Sequence, residues 1–153
     1  QLALLMQEHT VDAIYTSSLK RTQETAWLAF PERKVQPIAD FDERGFGQWE
    51  GLTADEIEAA FPEVWQAWLE APFEITPPEA EVFSDFQTRI WAATDRLLDS
   101  TDESIALVAH LGVLRLIYQH LVDGEAVFWN IDVPQGRVLL LEERDQTWQA
   151  TLL

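Results

Sequence analysis

The sequence predicts an α/β domain with helices on both faces of a mainly parallel sheet. Short strand-like runs alternate with segments of helical period along most of the chain. One run, Ile105-Ala106-Leu107-Val108-Ala109, is apolar without alternation, as expected of a parallel strand covered on both faces. The chain then ends in strand-rich sequence.

Taken in order, Leu2, Leu5 and Met6 recur at helical spacing, so residues 1–9 read as the tail of a helix. Residues 11–16 read as a short strand. Ser17 and Ser18 are N-cap candidates for a helix over 19–30, which Pro31 stops. Residues 35–38 are a second strand. Residues 40–52 hold Gly45, Gly47 and Gly51 with no sustained period and read as a loop. Thr53 with Glu56 makes a capping box for a helix through Phe61. Pro62 opens the next helix, with Val64, Trp65, Trp68 and Leu69 on one stripe.

Residues 71–81, with Pro72, Pro77 and Pro78, form an irregular connection. Phe83, Phe86, Ile90, Ala93 and Leu97 are spaced three, four, three and four, which predicts an amphipathic helix over about 82–99. Residues 104–109 are a buried parallel strand and 112–122 a helix. Residues 131–133, 137–142 and 147–152 read as strands, the last two a hairpin across Arg144-Asp145-Gln146. No repeat or linker interrupts the sequence, so residues 1–153 are expected to form a single domain.

Composition narrows the function. Forty-seven per cent of the 153 residues are apolar, including seven Trp and eight Phe, enough for a real core. The net charge is −17, from 27 acids against 10 Lys and Arg, which argues against a nucleic-acid partner. That field repels anions, so an anion site must be a local cluster of cations and helix ends. The chain has no Cys, which excludes disulfides, thiolate nucleophiles and Cys-based metal sites. The three His lack a metal-ligand spacing such as i, i+4, and no metal or other cofactor is expected. No apolar run reaches the length of a membrane span, and no basic leader with a cleavage site is visible. The expected location is cytoplasmic, with no membrane partner.

Three segments could carry chemistry. In Tyr15-Thr16-Ser17-Ser18-Leu19-Lys20-Arg21-Thr22, a strand gives way to a helix whose first N–H groups are free. Lys20 and Arg21 are unfavourable at that positive helix end by about 0.3–1 kcal/mol each unless an anion sits nearby. Arg offers a planar fork for phosphate oxygens. Pairing with Glu24 or solvent would serve either cation equally well. In Val108-Ala109-His110-Leu111-Gly112-Val113-Leu114-Arg115, His110 stands at the carboxyl end of an apolar strand, where ligands gather in open α/β sheets. Gly112 lets backbone approach a ligand. The third segment, Asp42-Glu43-Arg44-Gly45-Phe46-Gly47-Gln48-Trp49-Glu50-Gly51, sets acids among glycines and rings, a setting for a general acid. These residues do not choose among Asp42, Glu43 and Glu50. His9 and His120 each suit the negative end of a helix.

The three segments, in this order, resemble the histidine phosphatase (phosphoglycerate mutase-like) superfamily. Ser17-Ser18-Leu19-Lys20-Arg21-Thr22 with Thr25-Ala26 looks like the family's Ser-x-Leu-x-Arg-(Ala/Thr) segment, which implies that Arg21 binds phosphate. Phe41-Asp42-Glu43 through Glu50-Gly51 is similar to its Leu-x-Glu...Phe-Gly-x-Trp-Glu-Gly segment, whose first Glu, a proton donor, corresponds to Glu43. Val108-Ala109-His110-Leu111-Gly112 looks like its Val-x-His-Gly-Gly, which makes His110 the second pocket histidine and gives the Leu111 backbone N–H to phosphate. The resemblance implies a three-layer α/β/α sandwich, a phosphohistidine intermediate and a small phosphomonoester as substrate. Thr53 through Glu58, then Phe61-Pro62, Trp65, Trp68 and Pro77-Pro78, looks like the α-ribazole phosphatase branch of cobalamin biosynthesis.

Three departures stand out. No Arg-His-Gly, the family's nucleophile motif, occurs in the sequence. The opening residues match the helix after the family's first strand, so that strand is expected to be missing and residues 1–153 alone to be poorly folded and inactive. Leu111 replaces a Gly, and Glu79-Ala80-Glu81-Val82 stands where many members have Gly-Gly-Glu-Ser. Rival readings are a phosphoglycerate mutase, disfavoured by the short segment between Gly51 and Phe86, a broad-specificity phosphatase, and a non-catalytic phosphate-binding domain.

Overall fold

The computed structural model describes residues 1–100 and 102–153. They form two compact units, Gln1–Glu43 with Ile90–Leu153, and Arg44–Arg89.

The first unit holds a three-stranded parallel sheet flanked by helices. Its order is β2-β1-β3, from β1 (Ala13–Thr16), β2 (Val35–Pro37) and β3 (Ile105–Val108). Ile14 aligns with Val35 on one side and Ala106 on the other, and Thr16 with Pro37 and Val108. α2 (Lys20–Ala29) buries Thr22, Ala26 and Ala29, one stripe at helical spacing. Ile14 packs with Ala26, Ala29 and Phe30 in a core bordered by Leu2 and Met6 of α1 (Leu2–Met6) and by Val11, Val35, Ala106 and Val108. α6 (Leu111–Leu121) buries Val113, Leu116 and Ile117.

The predicted helix over 82–99 is α5 (Phe83–Leu98), which runs through the boundary between the units. β4 (Leu139–Arg144) and β5 (Thr147–Leu152) form the expected antiparallel hairpin. Asp145 and Gln146 turn it with φ of 53° and 67°, the left-handed pair that a two-residue hairpin needs.

Four local expectations are corrected. β3 is parallel, as expected, but all four of its residues are only half-buried. It is an edge strand of the three-stranded sheet among the described residues, with a partner strand on one side. Residues 131–133 form no strand. They follow a single 3-10 turn, Phe128–Asn130, the Ile131 carbonyl accepts Arg115 Nε–H at 2.7 Å, and Pro134 removes the next amide. Neither Ser17 nor Ser18 caps α2, because Leu19 takes the cap position and both hydroxyls are committed elsewhere. The 40–52 loop contains parts of two 3-10 turns, Ala39–Phe41 and Gly47–Trp49.

In the second unit, α3 (Ala54–Ala60) opens with the predicted capping box. Glu56 N–H donates to Thr53 Oγ1 at 3.2 Å and Thr53 N–H to Glu56 Oε1 at 3.3 Å. α4 (Pro62–Glu70) starts at its proline. Buried Trp49 meets Trp65 and Trp68 at 5.7 Å each, and those two stack on each other. Gly47 has φ +56°, and a Cβ there would run into the backbone of residues 78–80. Arg44 is buried, donates from Nε to the Glu81 carbonyl at 2.9 Å and lies over the rings of Phe46 and Phe83. Burial lowers its pKa and the Glu81 carboxylate opposes that shift. The same carboxylate takes a two-point contact from Arg89, at 2.8 and 3.0 Å. No helix among the described residues is long and apolar enough to cross a membrane.

Candidate functional site

Parallel pairing aligns the carboxyl ends of β1, β2 and β3, and the pairing continues one step past β1 and β2. Ser17 N–H donates to the Val108 carbonyl at 3.1 Å, and Ile38 N–H donates to the Thr16 carbonyl at 2.8 Å. Residues that follow the three strands therefore emerge along one edge, the usual place for a ligand in such sheets. Ser17 follows β1, the turn leading to Asp42 and Glu43 follows β2, and His110 follows β3. All of them belong to the first unit.

His110 caps α6 by position and is 8% exposed. Its Nε2 lies 2.9 Å from Ser17 Oγ and its Nδ1 lies 3.2 Å from an Arg21 guanidinium nitrogen. Burial, then the Arg21 cation, pushes its pKa below the ordinary histidine value, while Glu43 and Asp42 pull it up. Arg21 reaches the ring from the first turn of α2, whose positive N-terminal end begins shortly after the carboxyl end of β1. Lys20 is instead exposed and pairs with Glu24 at 3.5 Å, as solvent-facing i, i+4 residues do.

Of the three candidate acids, Asp42 and Glu43 stand in this unit. Glu43 Oε2 accepts the Gly112 N–H at 3.1 Å, in the first turn of α6. Asp42 is clasped by Ser18, whose N–H reaches Oδ1 at 2.7 Å and whose hydroxyl reaches Oδ2 at 2.7 Å. Glu50 belongs to the second unit and folds back on the Phe46 N–H at 3.0 Å. Leu111 opens α6, where backbone N–H groups are unused by the helix itself.

The structure thus brings Arg21, Glu43, His110 and Leu111 to one edge. Sequence reasoning missed Ser17, Ser18 and Thr22 as partners in that edge and left Asp42 as one of three candidate acids. In the sequence Ser17 and Ser18 read only as N-cap candidates, because nothing in the linear pattern says which strand lies beside the one ending at His110. Two anionic oxygens could be held here by a guanidinium fork and by helix N–H groups, with a carboxyl close by for proton transfer. Among the described residues no group of three or more His, Asp or Glu is placed to hold a metal ion. His120 pairs with Asp95 at 2.8 Å and stacks on Trp91 in the last turn of α6, away from these contacts. His9 lies just beyond α1.

The chain is 30% identical over 139 residues to the adenosylcobalamin/α-ribazole phosphatase of Escherichia coli K12, covering 88% of this chain and 68% of that protein. It is 28% identical over 136 residues to a bifunctional protein of Mycobacterium tuberculosis, covering 86% of this chain but 37% of that longer protein. The crystal structure of the α-ribazole phosphatase from Shigella flexneri superposes with a TM-score of 0.90 at 26% identity, over 99% of this chain and 77% of that one. The family model for the histidine phosphatase superfamily (branch 1) matches residues 1–153, and the chain belongs to that superfamily.

Proposed function

We propose that the whole protein is a phosphomonoester hydrolase working through a phosphohistidine, with α-ribazole phosphate of cobalamin biosynthesis as its substrate. The observation that carries the reading is the convergence of Arg21, Glu43 and His110 on one sheet edge, with Arg21 3.2 Å from the ring and Glu43 3.1 Å from the α6 backbone. Arg21 grips two phosphoryl oxygens with its fork, while His110 and the Leu111 N–H spread the charge on the third. The nucleophile is a histidine in an Arg-His-Gly segment outside these 153 residues. It attacks phosphorus as the ester P–O bond breaks, and Glu43 gives its proton to the leaving oxygen. Water then attacks phosphorus as the P–N bond breaks, its proton passes to the Glu43 carboxylate, and free phosphate leaves with the histidine restored.

The choice of substrate is supported by the 30% identity to the E. coli phosphatase and by the texture of the segment after Gly51. Full-length protein should be offered α-ribazole 5′-phosphate, phosphoserine and phosphoglycerate. Release of inorganic phosphate, fastest from the first, is the expected result. Isomerised phosphoglycerate without free phosphate would point to a mutase, and no turnover of any ester would leave a binding domain.

A further inference from the structure

We propose that Ser17 is a positioning residue: its hydroxyl receives the Nε2 proton of His110 and so leaves Nδ1, beside Arg21, as the atom presented to the phosphoryl group. The inference rests on the phosphatase reading of this site. Its basis is the order of donors around the ring. A guanidinium only donates, so the contact at 3.2 Å makes Nδ1 an acceptor. A neutral imidazole then carries its hydrogen on Nε2, which faces Ser17 Oγ at 2.9 Å.

Ser17 Oγ also receives the Leu19 N–H at 3.3 Å. With two donors on it, its own hydrogen goes to Thr22 Oγ1, 2.7 Å away. The Thr22 hydrogen in turn goes to the Leu19 carbonyl at 2.8 Å. That carbonyl can only accept, so it fixes the direction of every bond behind it. Reversing the series would set an Nδ1–H against the Arg21 N–H and turn the Thr22 hydroxyl away from the Leu19 carbonyl, which would keep only its contacts from the Thr22 and Gln23 N–H groups. Ser17 is fully buried and Thr22 is 3% exposed, so water has little room to substitute for either hydroxyl.

The arrangement prepares a proton uptake. When an anion turns the Arg21 fork toward itself, the Nδ1 lone pair is left facing anionic oxygen. Nδ1 takes a proton from solvent and donates it as a hydrogen bond to that oxygen. Arg21 on α2 opposes the added charge, and Asp42 and Glu43, after β2, favour it.

The test is ¹⁵N NMR of histidine-labelled full-length protein at neutral pH, before and after sulfate, an anion already fully ionised there. The wild type should carry its His110 proton on Nε2 alone, and on both nitrogens once sulfate binds. Ser17→Ala should give averaged tautomers, with kcat lowered roughly 10–100-fold and KM within about twofold, as for loss of a histidine's orienting partner. Thr22→Ser should keep the wild-type pattern, whereas Thr22→Val frees the Ser17 hydroxyl and moves the ring toward Nδ1–H. If Ser17→Ala fails to fold, Thr22→Val carries the same reading. An Nδ1–H ring in the wild type, no proton gained with sulfate, or one unchanged tautomer in both variants overturns the proposal. The expected tautomer pattern in a protein without turnover would instead sink the phosphatase reading.

Discussion

The carboxylate of Glu43 rests on the backbone N–H of Gly112, 3.1 Å away, and a Cβ at Gly112 would collide with that carboxylate. The glycine is therefore required by its neighbour and not by its own backbone angle. Gly112→Ala should displace Glu43 and lower turnover at least about tenfold, a fraction of what a general acid contributes. Ala is the better helix former by about 0.8–1.0 kcal/mol, so the melting temperature should hold or rise. Normal turnover in that variant would show that Glu43 does not depend on this contact.

Glu43→Gln keeps the shape and the hydrogen bond to Gly112 but cannot release a proton. Turnover of a phosphomonoester should fall by about 10²–10⁴-fold. Inorganic phosphate should still bind, by calorimetry, with an affinity close to that of the parent. Parent-like turnover would remove Glu43 from the proton-transfer role.

His110 is held toward its neutral form, by burial first and the Arg21 cation second. The folded protein therefore binds that proton less tightly than the unfolded chain, whose histidine titrates near 6.5. This contribution to stability is complete above about pH 6.5 and is lost as the pH falls from there through the lower folded value. In anion-free buffer, His110→Asn should flatten the decline of unfolding free energy below about pH 6.5. Parallel pH profiles for variant and wild type would count against the shift.

Gly47 is constrained twice, by its φ of +56° and by the backbone of residues 78–80 beside it. An L side chain in the left-handed region costs about 1–2 kcal/mol before any collision. Gly47→Ala should therefore lose at least that much in urea denaturation. Trp49, two residues on and packed on Trp65 and Trp68, gives a fluorescence signal from the same unit. An unchanged urea midpoint would mean that the loop yields.

Local rules read some elements well. The three-four alternation of Phe83, Phe86, Ile90, Ala93 and Leu97 marks α5 to within a residue at each end, because a long amphipathic stripe has few alternative readings. Thr53 and Glu56 announce α3 because a capping box acts within one turn. What stayed hidden depends on partners distant in sequence. Ser17 and Ser18 look like caps until His110 and Asp42 are placed beside them, and a hydroxyl can satisfy only one geometry. Residues 131–133 look extended until Arg115 claims the Ile131 carbonyl. The candidate site was legible in its charged members, Arg21, Glu43 and His110. Its neutral hydroxyls carry no charge or period that a linear pattern could register.

The first unit is discontinuous, since Arg44–Arg89 is spliced between Glu43 and Ile90. For chain statistics that segment is a closed loop, and doubling a flexible loop adds only about 0.6 kcal/mol of closure entropy. Its length can thus change at little closure penalty while Arg21, Glu43 and His110 stay tied to the strand ends, although positions inside it such as Gly47 carry constraints of their own. Such a division leaves one part of the gene free to vary and holds the other still, a layout in which new specificities can arise by replacing a single contiguous stretch.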